Sequence, residues 1–140
     1  MNLKHFIEVE GLKLKPYLDT KGIPTIAIGN TYYKNGEPVK MTDKPLTKEQ
    51  AIELGKDTIQ DFENYVKKYV KVPINDNQLT ALTSIAYNIG KTGFRNSTFL
   101  KRINEKDTDT KIRQAIMMWT KNPELIGRRK KEVELYFKPI

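Results

Sequence analysis

No cysteine occurs among the 140 residues, and His5 is the single histidine. The first absence excludes a disulfide framework, a thiolate nucleophile and a cysteine zinc site. The second excludes a histidine-rich metal centre, and a hydroxyl-nucleophile triad would have to use His5, with no glycine-framed serine to serve it. No metal and no organic cofactor are expected. Long apolar runs are missing too: Ala115 to Trp119 falls far short of the roughly 18 residues of a membrane span. Residues 1–11 carry charges every few positions and no stretch of signal length, so the chain is expected to be made as a soluble protein without stable membrane insertion. Any chemistry falls to carboxylates, hydroxyls, amides and basic side chains.

Hydrophobic residues make up 38% and charged residues 30%, enough apolar material for a core and too much patterning for a disordered tail. The length fits one domain. The net charge of +8 is unevenly spread, because residues 91–140 hold 13 Lys/Arg against 6 Asp/Glu. Such a field concentrates polyanions without choosing among nucleic acid, acidic lipid and an anionic cell wall.

Asn2 is placed to cap a first helix in which Leu3, Phe6, Ile7 and Glu10 share one stripe, with Gly11 as its stop. His5 lies beside that stripe and is expected to be exposed. From Pro16 to about Val39 the signals change to short strands. A turn is expected at Asp19-Thr20-Lys21-Gly22, a strand over Ile23 to Ile28, and a second hairpin at Asn35-Gly36. Thr47-Lys48-Glu49-Gln50 reads as a capping box opening a helix to about Lys71, interrupted on its apolar face by Gly55. Asn75 with Gln78 opens another that ends at Gly90, and further helices are expected at about 97–104, 109–121 and 127–137. The order suggests two lobes: a small one with a sheet, and a mainly helical one joined by a long connecting helix.

Glu10 is the sharpest single feature, because an apolar setting favours the neutral, proton-carrying form of a carboxyl, which is what a general acid needs. Asp19 begins a tight turn nine residues later, and Thr25 lies across it on the returning strand, so that an aspartate and a hydroxyl can hold a water between them. Taken singly, each has a structural explanation: a boundary glutamate, a turn aspartate, a strand threonine. Together they form one unit in which a protonated and an ionised carboxyl can flank a substrate, the pattern that cleaves glycosidic bonds.

The run Glu10-Gly11-Leu12-Lys13-Leu14-Lys15-Pro16-Tyr17-Leu18-Asp19, followed by Gly22, Thr25-Ile26, Gly29 and Thr31, resembles the signature of the bacteriophage lysozymes, the endolysins of glycoside hydrolase family 24. The likeness continues through Gln78, Ala81-Leu82, Tyr87-Asn88-Ile89-Gly90, Phe94, Ser97-Thr98, Trp119, Gly127-Arg128-Arg129 and Glu132. It implies an α+β, lysozyme-like fold: one catalytic domain over 1–140, with an N-terminal lobe at about 12–47, a connecting helix at about 48–70, and a helical lobe at about 71–140 packed with helix 2–10. It also implies a muramidase that hydrolyses the β-1,4 bond between N-acetylmuramic acid and N-acetylglucosamine of peptidoglycan, with inversion. Glu10 matches the proton donor, Asp19 the carboxylate that activates water, and Thr25 the hydroxyl completing the water site. Gly29, Thr31, Tyr87, Asn88 and Ser97 match substrate-binding positions, and Arg128 an arginine that can approach the catalytic glutamate.

Two positions depart from the family pattern, which commonly has glycine at Ala27 and histidine at Asn30. Alanine is benign there if the strand stays extended, and Asn30 cannot supply a histidine's charge. The run Arg128 to Lys131 reads on its own as a solvated face, and Trp119 as an anchor of the helical core. With no signal segment, synthesis in the host cytoplasm is expected, and the resemblance implies release through a separate holin. With no appended wall-binding module, the expected target is the glycan of a thin, Gram-negative wall; the protein is expected to be a monomer, and no nucleic acid is expected as a partner. A silent sugar-binding domain and a basic nucleic-acid binder are the rival classes. The second explains only the charge and leaves the spaced acids unaccounted for.

Overall fold

The computed structural model describes residues 2–140 and contains, among them, one two-stranded antiparallel sheet and seven helices. The chain divides into two compact units, Asn2–Asp61 and Phe62–Ile140.

In the first unit, α1 (Leu3–Glu10) is capped by Asn2, whose side chain accepts the His5 N–H at 3.3 Å. Gly11, at φ 84°, ends it by donating its N–H to Ile7 O at 2.7 Å. His5 is not exposed as the stripe suggested: it is 8% exposed and stands edge-on to the fully buried Phe6, so the buried face of α1 takes in the residue beside the stripe. Strands β1 (Lys13–Leu18) and β2 (Pro24–Ala27) pair antiparallel, with Tyr17 opposite Thr25 and Leu18 opposite Pro24.

The second hairpin is reduced to a turn. Gly36 takes φ 86° and Glu37 N–H is held by Asn35 Oδ1 at 3.0 Å, but only one isolated bridge forms, between Tyr32 and Pro38. Pro38 has no N–H to extend a ladder. Ala27 also departs from expectation, since its φ is 59°, in the left-handed region. Ile26 and Asn30 exchange both backbone bonds at 2.8 Å around it, closing a tight turn that an extended alanine could not make.

The core of this unit gathers Ile26, Ala27, Val39, Ala51 and Leu54, with Leu12, Tyr33 and Leu46 packed on it. Helix α2 (Lys48–Tyr69) supplies two of these and opens with the expected reciprocal box: Gln50 N–H to Thr47 Oγ1 at 3.1 Å, Thr47 N–H to Gln50 Oε1 at 2.9 Å. Gly55 interrupts its apolar face for a reason: a Cβ there would lie 2.5 Å from Ile28 Cδ1, so glycine lets that side chain seat against the helix.

The second unit contains α3 (Asp76–Ile89), α4 (Lys91–Arg95), α5 (Thr98–Asn104), α6 (Asp109–Met117) and α7 (Glu124–Tyr136). Asn75 and Gln78 form the expected capping box, and Gly90 ends α3. The short α4 has no counterpart among the expected helices. Helix α7 starts before Gly127, because Pro123, already at φ −54°, leads into a helix rather than breaking one. Leu82, Ile85, Phe94, Phe99 and Ile116 lie at the centre of this unit's core, with Trp119 half-buried against it. Among the described residues, no helix is long and apolar enough to cross a membrane.

Candidate active site

Glu10 is the last residue of α1, and Gly11 stops the helix just beyond it. Its carboxyl lies against the backbone of Gly29: a Cβ on Gly29 would overlap Glu10 Oε2 and stand 3.1 Å from Glu10 Cδ. Gly29 is thus required twice, by its φ of 70° and by the carboxyl pressed against it.

Asp19 holds its own turn. Oδ1 accepts N–H bonds from Lys21 and Ile23, each at 2.8 Å, while the Asp19 N–H donates to Ile23 O at 3.0 Å. The side chain is therefore fixed in place through one oxygen, and Oδ2 lies outside the bonds of the turn. Thr25, 3% exposed, donates its hydroxyl proton to Ile23 O at 2.8 Å. With that proton committed, Oγ1 meets any further partner as an acceptor.

Tyr17 ties these residues together. It stands directly opposite Thr25, and cross-strand partners share a face of the sheet. Its phenol is pushed above the ordinary tyrosine value, first by burial, then by the negative charge of Glu10, then by that of Asp19. One ring therefore lies in the field of both carboxylates. In sequence Tyr17 is an unremarkable strand tyrosine, and only the alternation that places it two residues before Asp19 and across from Thr25 marks it out.

Thr31 is half-buried, and its carbonyl accepts the Val39 N–H at 2.9 Å. Asn30, 3% exposed where a histidine is usual, accepts the Ile28 N–H at 3.2 Å and donates Nδ2 to Thr58 Oγ1 at 2.9 Å, tying the turn after β2 to α2. It has a structural occupation in place of a charge.

The remaining candidates lie in the second unit. Tyr87 is half-buried with its ring edge-on to Phe62 at 5.2 Å. Asn88 is exposed near the end of α3, and its Oδ1 accepts from Arg129 Nη2. Ser97 is 6% exposed and caps α5, accepting the Leu100 N–H at 3.1 Å and donating to Phe94 O at 2.8 Å. Arg128 donates from Nη2 to Ser84 O at 3.0 Å and from Nε to Glu132 Oε2 at 3.2 Å. The cationic run is not a solvated face: Arg129 and Glu132 are both 0% exposed, because helical period turns only Lys130 and Lys131 outward. Among the described residues, no three histidines or carboxylates cluster to hold a metal.

Glu10, Asp19 and Thr25, with Gly29 beneath the glutamate, all lie within residues 7–132, and over that span the chain matches the phage lysozyme family. The chain belongs to the phage lysozyme family. The endolysin of Salmonella phage P22 is 38% identical over 131 residues, which cover 91% of this chain and 88% of that relative. Among solved structures, the endolysin from Escherichia coli O157:H7 phage FAHEc1 matches with a TM-score of 0.88 at 35% identity, covering 99% of this chain and 91% of that one. The muramidase domain of SpmX from Asticaccaulis excentricus matches with a TM-score of 0.81 at 27% identity, covering 98% and 95%. The fold of this phage lysozyme is the α+β, lysozyme-like one expected from its sequence: a small antiparallel sheet and a mainly helical remainder.

Proposed function

We propose that Glu10, Asp19 and Thr25 are the reacting group of a muramidase that cleaves the β-1,4 bond between N-acetylmuramic acid and N-acetylglucosamine. The chain is a peptidoglycan-degrading lysozyme, a glycoside hydrolase of phage lysis. In this reading Glu10 gives its proton to the glycosidic oxygen as the bond to the anomeric carbon breaks. A water adds to that carbon from the opposite face and yields a proton to Asp19 Oδ2, the oxygen free of turn bonds. Thr25 Oγ1 accepts the water's other hydrogen, which aims the water's lone pair at the sugar. One water is consumed, and proton exchange with solvent restores both carboxyls. Inversion follows, and it requires the carboxyls to stand about 6.5 to 9.5 Å apart.

The observation that carries this reading is Tyr17, opposite Thr25 and in the field of both acids. Gly29 supports it as the residue whose missing side chain lets Glu10 sit where it does. Gly29, Thr31, Tyr87, Asn88 and Arg128 are assigned to substrate binding, with Ser97 contributing through the start of α5. Residues 1–140 act as one catalytic domain, monomeric and without a nucleic-acid partner. The enzyme acts on the cell wall after release from the host cytoplasm through holin lesions, with an anionic envelope as its docking surface.

Wild type, Glu10→Gln and Asp19→Asn should be incubated with isolated peptidoglycan and new reducing ends measured. Wild type is expected to release them and each variant to lose at least about 100-fold, the usual scale for a positioned acid or base. Undiminished release by Glu10→Gln would remove the mechanism. The anomer first formed, read by NMR, tests inversion, and anhydro-muramyl ends would instead identify a transglycosylase.

A further inference from the structure

The reaction above leaves unused a buried charged network in the unit Phe62–Ile140. Glu132 and Arg129 are both 0% exposed, and both carboxylate oxygens of Glu132 accept hydrogen bonds. Its Oε1 accepts from Arg129 Nη1, and its Oε2 from Ser84 Oγ at 2.5 Å and Arg128 Nε at 3.2 Å. Arg129 spends its planar fork on three partners: Nη1 on Glu132, Nε on the Trp119 carbonyl at 2.9 Å, and Nη2 on the Asn88 side chain. Stability alone is a poor reason to keep such a group, since buried ion pairs are often matched or bettered by apolar residues of similar volume. What the network accomplishes at the surface is more specific.

A guanidinium has donors only, so the atom of Asn88 that meets it must be the carbonyl oxygen. The Asn88 NH2 is thereby turned away from Arg129. Asn88 is exposed, and a free surface amide would rotate to offer either its donor or its acceptor. Held by Arg129, it offers the donor alone. The glycan acceptor best suited to a neutral N–H pair is the acetamido carbonyl, which is present on both sugars of the repeat.

We propose that Arg129, anchored by Glu132, is a positioning residue that locks Asn88 as a hydrogen-bond donor for an acetamido carbonyl of the glycan. The inference rests on the muramidase reading and extends it from the reacting group to the recognition of the N-acetyl substituent. The same carboxylate orients Arg128, so one buried glutamate sets two side chains.

A double-mutant cycle on isolated peptidoglycan tests it, with wild type, Asn88→Ala, Arg129→Lys and the double variant. Lysine keeps the charge beside Glu132 but lacks the fork that reaches Asn88. Each single change is expected to raise KM about five- to tenfold, more than it lowers kcat, the scale of one lost hydrogen bond. The double variant should then be no worse than Asn88→Ala. Effects that multiply, or an Arg129→Lys that lowers only kcat and Tm, would show a purely structural arginine and overturn the proposal. Asn88→Asp supplies the check that does not disturb the core, because it keeps the oxygen facing Arg129 and replaces the outward NH2 with a second acceptor. An unchanged KM in Asn88→Asp at wild-type Tm would also overturn it. A wild-type protein that releases no reducing ends would instead bring down the muramidase reading, and this inference with it.

Discussion

Ala27 shows how one methyl group alters a site's stability without touching its chemistry. It sits at φ 59° and is fully buried, in the turn that carries Gly29 under Glu10. An L-residue in the left-handed region pays about 1 to 2 kcal/mol that glycine does not. Truncation to glycine gives back that strain, but loses about 0.8 kcal/mol of buried methyl and about 0.4 to 1 kcal/mol through the looser unfolded chain. The terms nearly cancel. Ala27→Gly is therefore expected to unfold in urea within about 1 kcal/mol of wild-type stability, on either side. Ala81→Gly, equally buried but inside α3, should lose about 1 kcal/mol or more, since a helical alanine has no strain to give back. Equal losses in the two variants would mean that Ala27 is not strained in solution. The sequence showed that Ala27 was unusual but not why, because its φ is set by the paired backbone bonds of Ile26 and Asn30.

The helix ends were legible because their causes are local. Asn2, Thr47 with Gln50, and Asn75 with Gln78 each place a side-chain acceptor on a first-turn N–H three residues on, and nothing distant is needed. The settings of Glu10 and Asp19 were legible for the same reason, since a helix stop places the first and a tight turn the second within one short segment. What escaped depends on tertiary partners: the missing strands around Asn35-Gly36, the burial of His5, and above all Arg129, which sequence cannot tell from Lys130 until Glu132 and Asn88 are packed against it.

Helix α7 ends on a residue of this second kind. Tyr136 is 5% exposed, and its phenol is pushed up to about 12, first by burial and then by Asp109. In the first unit Tyr33 is also pushed up to about 12, by burial and then by its 2.7 Å bond to Asp43. An unfolded tyrosine ionises near 10, so each neutral phenol adds stability that is complete below about pH 10 and is lost as pH rises toward about 12. The free energy of unfolding should accordingly fall across that window. Tyr136→Phe should flatten the fall, and Tyr33→Phe with Tyr136→Phe should flatten it further. The difference between each variant and wild type is the quantity to read.

At the scale of the whole molecule, charge is unevenly divided. Residues 2–61 carry 9 lysines and 9 acids, whereas residues 62–140 carry 16 Lys/Arg and 8 acids, so the entire net charge of +8 belongs to the second unit. Glu10 and Asp19 lie in the balanced one. A basic surface raises a protein's local concentration at a polyanion, and salt shortens its reach from about 10 Å at 0.1 M to about 3 Å at 1 M. Lys130 and Lys131 are the exposed cations of the Arg128 to Lys131 run on α7. Cosedimentation with envelope fragments is therefore expected to weaken steeply between these salt concentrations. Lys130→Glu with Lys131→Glu should weaken it further at low salt and flatten its salt dependence, while cleavage of a short, uncharged glycan stays within about twofold of wild type. The rationale is that peripheral charges govern encounter more than the bonds made after it. Equal losses on the envelope and on the short glycan would place these lysines in the reaction itself and separate the field from its assigned role.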